Sequence, residues 1–267
     1  MWLIVTSLFI IVLYIAAASL LWRRLSHDAG ISKNKAMLLG LGGLILHFIV
    51  LQNNVLTDHG LNLGFTQVGG LAAWFICGLF LLSSARKPTE NLGVFIFPLA
   101  AIAVIIQILF PTEHFLSTHA ESKGLGVHIL FSILAYSLLG LAAVQAVLLS
   151  IQERHLHNHK PGGFIRALPP MQTMELLLFQ MIIVGFSLQT MSLASGFVYL
   201  DDMFAQHLVH KTLLSILAWA IFGTLLLGHW LRGWRGRTAV AWTLSGFFTL
   251  LIAYFGSKYV LEIILQR

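Results

Sequence analysis

Runs of about 18 or more apolar residues recur along this chain, and each is long enough as a helix to cross roughly 30 Å of hydrocarbon. Eight such runs are predicted as membrane-spanning helices: Leu3 to Trp22, Ala36 to Leu56, Phe65 to Ser84, Leu92 to Phe110, Gly126 to Ile151, Glu175 to Val198, Val209 to Leu231 and Ala239 to Leu261. The expected fold class is therefore an all-α, polytopic membrane helical bundle.

The connections between the runs alternate in charge. Arg23, Arg24, Lys33 and Lys35, then Arg86 and Lys87, then Arg154, Lys160 and Arg166, then Arg232, Arg235 and Arg237 fall in every second connection, about 12 of the 16 basic residues. By the positive-inside rule these loops face the cytoplasm, so both termini and the loops holding His59, His114, His119 and Asp201 are expected outside, in the periplasm. The first run has no basic residue before it and Arg23 and Arg24 after it, the reverse of a cleaved signal peptide, so it reads as a retained span.

The longest connection, Gln152 to Met174, carries Pro161, Gly162, Gly163 and the Pro169-Pro170 pair and reads as a cytoplasmic linker. The proline pair should stop helix before Gln172, with Thr173 and Glu175 suited to the first turn of the next span. Neither a solenoid repeat nor matched broken helices of an inverted-repeat transporter are visible. One integral membrane domain over 1–267 is expected, with a four-span part at 1–110 and a four-span part at 126–267.

Composition sharpens this picture. With 58% hydrophobic and 10% charged residues and a mean hydropathy of +0.86, the chain is far more apolar than a soluble domain, in which about 25% of residues are charged. A net charge of +6 would suggest a nucleic-acid partner in a soluble protein. Here the basic residues mark topology, so lipid and not nucleic acid is the expected surroundings. The lone cysteine, Cys77, excludes an intrachain disulfide and a CxxCH haem attachment, so any cofactor is held by other groups. No phosphate loop, HExxH helix, GxSxG elbow or catalytic carboxylate pair occurs, and a non-enzymatic role is expected.

Twelve histidines are many for so apolar a chain, and depth separates them. His47 lies roughly 16 Å into the second span, near the bilayer centre, where a polar ring is expensive. Trp74, about nine residues into the third span, reaches a similar depth. The pair reads either as packed groups bonded to neighbouring helices or as an internal ligand or gate.

His128 opens the fifth span and His210 the seventh, both at the outer interface. Two imidazoles on separate helices at equal depth can hold one haem iron between them; the alternative is a pair of interfacial side chains with wet tips. The stretch Tyr199 to Trp219 gathers Asp201, Asp202, His207, His210 and Lys211 at that mouth. Lys211 can neutralise a haem propionate, with Lys123 a further candidate. Asp201 or Asp202 can orient a histidine N–H, and His207 is a second ligand, a proton relay or a solvated side chain.

Other polar positions read as frame. His155, His157 and His159 alternate like a short metal tract with no carboxylate or cysteine to complete it. Met171, Met174, Met181, Met191 and Met203 suit flexible packing. Gln107, Gln145, Gln180 and Gln189 suit interhelical hydrogen bonds, while Gly40, Gly42, Gly43, Gly69 and Gly70 let helices approach closely.

The segments GVHILFSILAYSLLGLAAVQAVLL, MIIVGFSLQTMSLASG and HKTLLSILAW resemble the core of the haem-handling cytochrome c assembly family, the CcsA and CcmC group. LHFIV around His47 and GLNLGF before the third span are similar to its short, YpjD-type inner-membrane branch. The resemblance implies a haem-handling protein of the bacterial inner membrane related to cytochrome c biogenesis. It implies haem b, bound non-covalently, as cofactor, and other cytochrome maturation or haem-biosynthesis membrane proteins as partners.

In that family a histidine stands at the position of His128, and a lysine, serine and tryptophan at those of Lys211, Ser215 and Trp219. The tryptophans and aspartate before that helix are replaced here by Gln206, His207, Leu208 and Val209. The family's second outer histidine, after the last core helix, is replaced by YFGSKYVLEIILQR, and His210 stands as its substitute. The rival expectations are a transporter with His47 in its polar pathway and a non-catalytic scaffold tied to haem biosynthesis.

Overall fold

A computed structural model of the chain describes residues 2–27, 30, 32–57, 60–86, 89–113, 115–116, 123–157, 168–199 and 209–256. Eight helices in it are long and apolar enough to cross a membrane. They are α1 (Trp2–His27), α2 (Lys33–Val55), α3 (Phe65–Arg86), α4 (Gly93–Leu109), α5 (Lys123–His157), α6 (Met171–Tyr199), α7 (Val209–Arg232) and α8 (Gly236–Leu251). α8 runs on into a π-turn over Ile252–Gly256. The chain is a multi-pass, predominantly helical membrane protein.

It forms two compact units, residues 1–118 with 154–170, and residues 119–153 with 171–267. In the first, α1 packs on α2 and α4, and α3 packs on α4 and α2. Ser32 caps α2, its hydroxyl accepting from the Asn34 amide. Glu90, in a 3-10 turn before α4, takes Lys33 at 3.2 Å and Arg24 at 3.9 Å, while Lys33 Nζ also donates to the Ser84 carbonyl at 2.6 Å. Four helix ends thus meet around one carboxylate.

The opposite end of this unit carries a feature absent from the hydropathy reading. Short strands β1 (Leu56–Thr57), β2 (Gly60–Asn62) and β3 (Phe115–Leu116) form an antiparallel sheet in the order β1-β2-β3, with Leu56 opposite Leu61 and Leu61 opposite Leu116. Thr112 then ties the start of α3 to the end of α4: its hydroxyl accepts from the Thr66 amide at 2.9 Å. Strands of two or three residues are too short for a periodic signal, which is why only spans were expected here.

In the second unit α7 packs on α8 and on α6. Helix α6 begins at Met171, directly after the proline pair, as those residues require. Helix α5 overruns its expected end at Ile151 and continues to His157, so His155 and His157 are helical and not part of a loop. His159 lies outside the described residues. Buried amides stitch the helices: Gln145 Nε2 donates to the Met174 carbonyl at 2.9 Å and Gln189 Nε2 to the Ser215 carbonyl at 3.2 Å. Such bonds contribute about 0.6 to 2 kcal/mol each in a membrane.

Candidate functional site

The second unit gathers a histidine, a lysine and several hydroxyls. His128, Ser132 and Tyr136 fall four residues apart along α5 and so share one helical face. Opposite them on α6 stand Ser192 and Ser195. His128 Nδ1 is 2.8 Å from the Ser192 carbonyl oxygen. A carbonyl accepts and cannot donate, so Nδ1 carries the proton and Nε2 of the neutral ring keeps its lone pair.

The surrounding serines hold that arrangement in place. Ser132 Oγ donates to the His128 carbonyl at 2.7 Å and lies 2.6 Å from Ser192 Oγ. Ser195 Oγ donates to the Ser192 carbonyl at 2.9 Å and stands 3.4 Å from His128 Nδ1. The residue is half-buried.

Lys211, in the first turn of α7, is near enough to act on His128 electrostatically. Its ammonium sits over the Tyr254 ring at 4.9 Å, in the π-turn after α8. Tyr254 in turn meets Tyr136 edge-on, with ring centroids 6.1 Å apart. A cation held over an aromatic face and an imidazole with an unprotonated nitrogen are groups that suit an anionic group and a metal, respectively.

Ser215 and Trp219 follow Lys211 at helical spacing, but their bonds pack α7 on α6. The Ser215 carbonyl receives Gln189, and Trp219 Nε1 donates to Thr190 Oγ1 at 2.9 Å while its ring stacks on Phe186. Of the candidates at the Tyr199 to Trp219 mouth, Asp201, Asp202 and His207 lie outside the described residues, as does the side chain of His210, whose backbone forms part of the first turn of α7.

The partner that fixes the His128 ring is thus a backbone carbonyl on α6. Nothing in the sequence links residues 64 positions apart, so the Ser192 contact left no signal in it. His229 has a similarly fixed ring, Nδ1 donating to the Trp234 carbonyl at 2.9 Å, but that bond is local. It closes the turn between α7 and α8, where Gly233 has φ +67°, and the ring stacks on Phe179 at 3.6 Å. A bond within one turn secures the turn, whereas the His128 bond fixes a ring between two helices.

His47 and Trp74 belong to the other unit. His47 is wholly buried, with Tyr14 Oη 3.3 Å from its Nδ1. Trp74 donates its indole N–H to the Leu44 carbonyl at 2.9 Å and lies against Phe48. Among the described residues no group of three or more His, Cys, Asp or Glu side chains is arranged to hold a metal ion.

Eight apolar helices long enough to cross a membrane define a multi-pass membrane protein, whose second unit holds a half-buried histidine fixed between two helices. The chain belongs to the cytochrome C assembly protein family, which matches residues 44–265. It is 31% identical to the inner membrane protein YpjD of Escherichia coli (strain K12) over 263 residues, 97% of this chain and 99% of that one. It is 24% identical over 197 residues to the cytochrome c biogenesis protein CcsA of Prochlorococcus marinus subsp. pastoris, covering 60% of this chain and 62% of that protein. An uncharacterised protein of Azospirillum brasilense matches 141 residues at 33%, 52% of each chain. No solved structure matches at a significant level. The protein is a multi-pass protein of the inner membrane.

Proposed function

We propose that this protein binds haem non-covalently, as haem b, and passes it on in cytochrome c biogenesis without catalysing a reaction. In this reading His128 Nε2 is an axial ligand to the iron, His210 in the first turn of α7 supplies the second, and Lys211 neutralises a propionate. Both termini and this mouth face the periplasm. The partners are other membrane proteins of cytochrome maturation or haem biosynthesis.

The observation that carries the proposal is the 2.8 Å bond from His128 Nδ1–H to the Ser192 carbonyl. Metal-binding histidines characteristically donate their other ring N–H to a carbonyl or carboxylate, which fixes the tautomer and aims the free lone pair. Family membership and the CcsA relatives, named as cytochrome c biogenesis proteins, support the same direction. His47 has no part in the proposed site, because its ring is enclosed on all sides.

The test is the absorption spectrum of detergent-purified protein loaded with haem, wild type against His128→Ala and His210→Ala. The Soret band is expected to collapse in His128→Ala and to shift or weaken in His210→Ala. Spectra unchanged in both variants remove the site.

A further inference from the structure

The turn between α7 and α8, in the second unit, is fixed by backbone bonds of its own. The Gly233 amide donates to the His229 carbonyl at 3.1 Å and the Trp234 amide to the Gly228 carbonyl at 3.2 Å, with Gly233 at φ +67°. This is a Schellman ending, in which a left-handed glycine lets the chain fold back over the last turn of its helix. The Trp234 ring completes it. A Cβ at Gly228 would run into that ring, so the indole lies on bare backbone, and it meets Trp242 of α8 with ring centroids 5.4 Å apart.

Arg232 and Arg235 flank Trp234 in sequence and are exposed, as is Arg237. The two carboxylates that reach this turn are engaged elsewhere: Glu153 pairs with Arg237 at 3.1 Å, and Glu175 Oε1 accepts from the Gly236 amide at 2.5 Å. Among the described residues neither the Arg232 nor the Arg235 guanidinium has an ion-pair partner. In the first unit, by contrast, Arg24 and Lys33 share Glu90.

The apolar side chains just before the turn face outward as well. Leu231 is 80% exposed and Trp230 66% exposed. They close a candidate span, Lys211–Arg232, of 22 residues, about 33 Å at 1.5 Å per residue. That length brings Trp230 and Leu231 to the level where hydrocarbon gives way to headgroups, and Arg232 and Arg235 to the headgroups themselves. Guanidinium forks bind phosphate bidentately, and an indole and a leucine beside them suit acyl chains. One molecule offers both.

We propose that the turn between α7 and α8 binds an anionic phospholipid, its phosphate held by Arg232 and Arg235 and its acyl chains lying against Leu231 and Trp230. The Schellman bonds hold the backbone of the turn beforehand, so little chain order has to be gained on binding. The site is independent of iron and stands whether or not His128 ligates haem.

The test uses full-length protein in detergent micelles, titrated with phosphatidylglycerol or with phosphatidylcholine and read by native mass spectrometry. Wild type is expected to hold phosphatidylglycerol the more tightly. Arg232→Gln combined with Arg235→Gln should weaken the first phosphatidylglycerol bound by about 25-fold, at roughly fivefold per arginine, with phosphatidylcholine unaffected. Lys35→Gln combined with Arg86→Gln removes the same charge from the first unit and should leave that affinity as it is. Should the arginine pair not fold as glutamines, Arg232→Lys with Arg235→Lys replaces it; the charge stays, the fork is lost, and a smaller weakening is expected. Glycerol 3-phosphate, which has no acyl chain, should not displace the lipid. Equal affinity for the two lipids, arginine variants that bind as wild type does, an equal loss in the Lys35 and Arg86 variant, or displacement by glycerol 3-phosphate overturns the proposal.

Discussion

Two histidines in the two units occupy opposite environments, although both lie in membrane-length helices. His47 is wholly enclosed and bonded to a hydroxyl that can give or take a proton, whereas His128 is half-buried and bonded to a carbonyl that can only take one. The first arrangement spends the ring on internal cohesion. The second fixes the ring and leaves a lone pair to use. Depth in the membrane therefore does not separate the two rings; the chemistry of the bonding partner does.

The largest expected separation between the units is in the haem spectrum. His128→Ala should lose the Soret band, and His47→Phe, titrated with haem under the same conditions, should retain it. A spectrum lost in the His47 variant alone would reverse the assignment.

Packing should separate them next, in the other direction. Gly70→Ala places a methyl group against the Gln107 carboxamide, and overpacking of this kind costs about 1 to 3 kcal/mol. At Gly126, two residues before His128, an added Cβ meets nothing within 4 Å, and glycine to alanine in an open helical position gains roughly 0.5 to 1 kcal/mol. Thermal unfolding in detergent should move down for the first variant and slightly up for the second. Equal shifts would mean that the tight seat at Gly70 has no energetic weight.

A smaller effect is expected at Lys211. Lys211→Gln should leave the shape of the haem spectrum intact and weaken affinity several-fold, in keeping with a partly solvated ion pair of about 1 kcal/mol. The difference from wild type should shrink as salt is raised, which a titration at two ionic strengths checks. The smallest is at Ser195: replacing it with alanine removes one hydroxyl bond to the Ser192 carbonyl, worth about 0.6 kcal/mol. A slight fall in melting temperature with an unchanged Soret maximum is expected.

The spans were legible in the sequence because hydropathy responds to the bilayer, and each helix overlaps its apolar run. Hydropathy does not respond to helix as such. That is why the polar end of α5 from Gln152 to His157 read as linker. The sheet joining Leu56, Leu61 and Leu116 was invisible because its pairing is carried by backbone groups over very short strands. At the candidate site the type and position of His128 and Lys211 were readable, but the Ser192 carbonyl was not, since any residue presents a carbonyl. Likewise the depth of His47 was readable, while its partner Tyr14 comes from a helix whose packing no local pattern encodes.

Helix α5 is hydrogen-bonded without interruption from Lys123 to His157, about 52 Å at 1.5 Å per residue. Hydrocarbon roughly 30 Å thick cannot cover such a rod standing upright, so it leans or protrudes. His128 rides near one end, and Glu153, bonded to Arg237 at 3.1 Å, near the other. A helix does not stretch, so a change in its lean that moves the Glu153 end also swings the His128 end. His128 and Glu153 are thus carried about 37 Å apart on one stiff element.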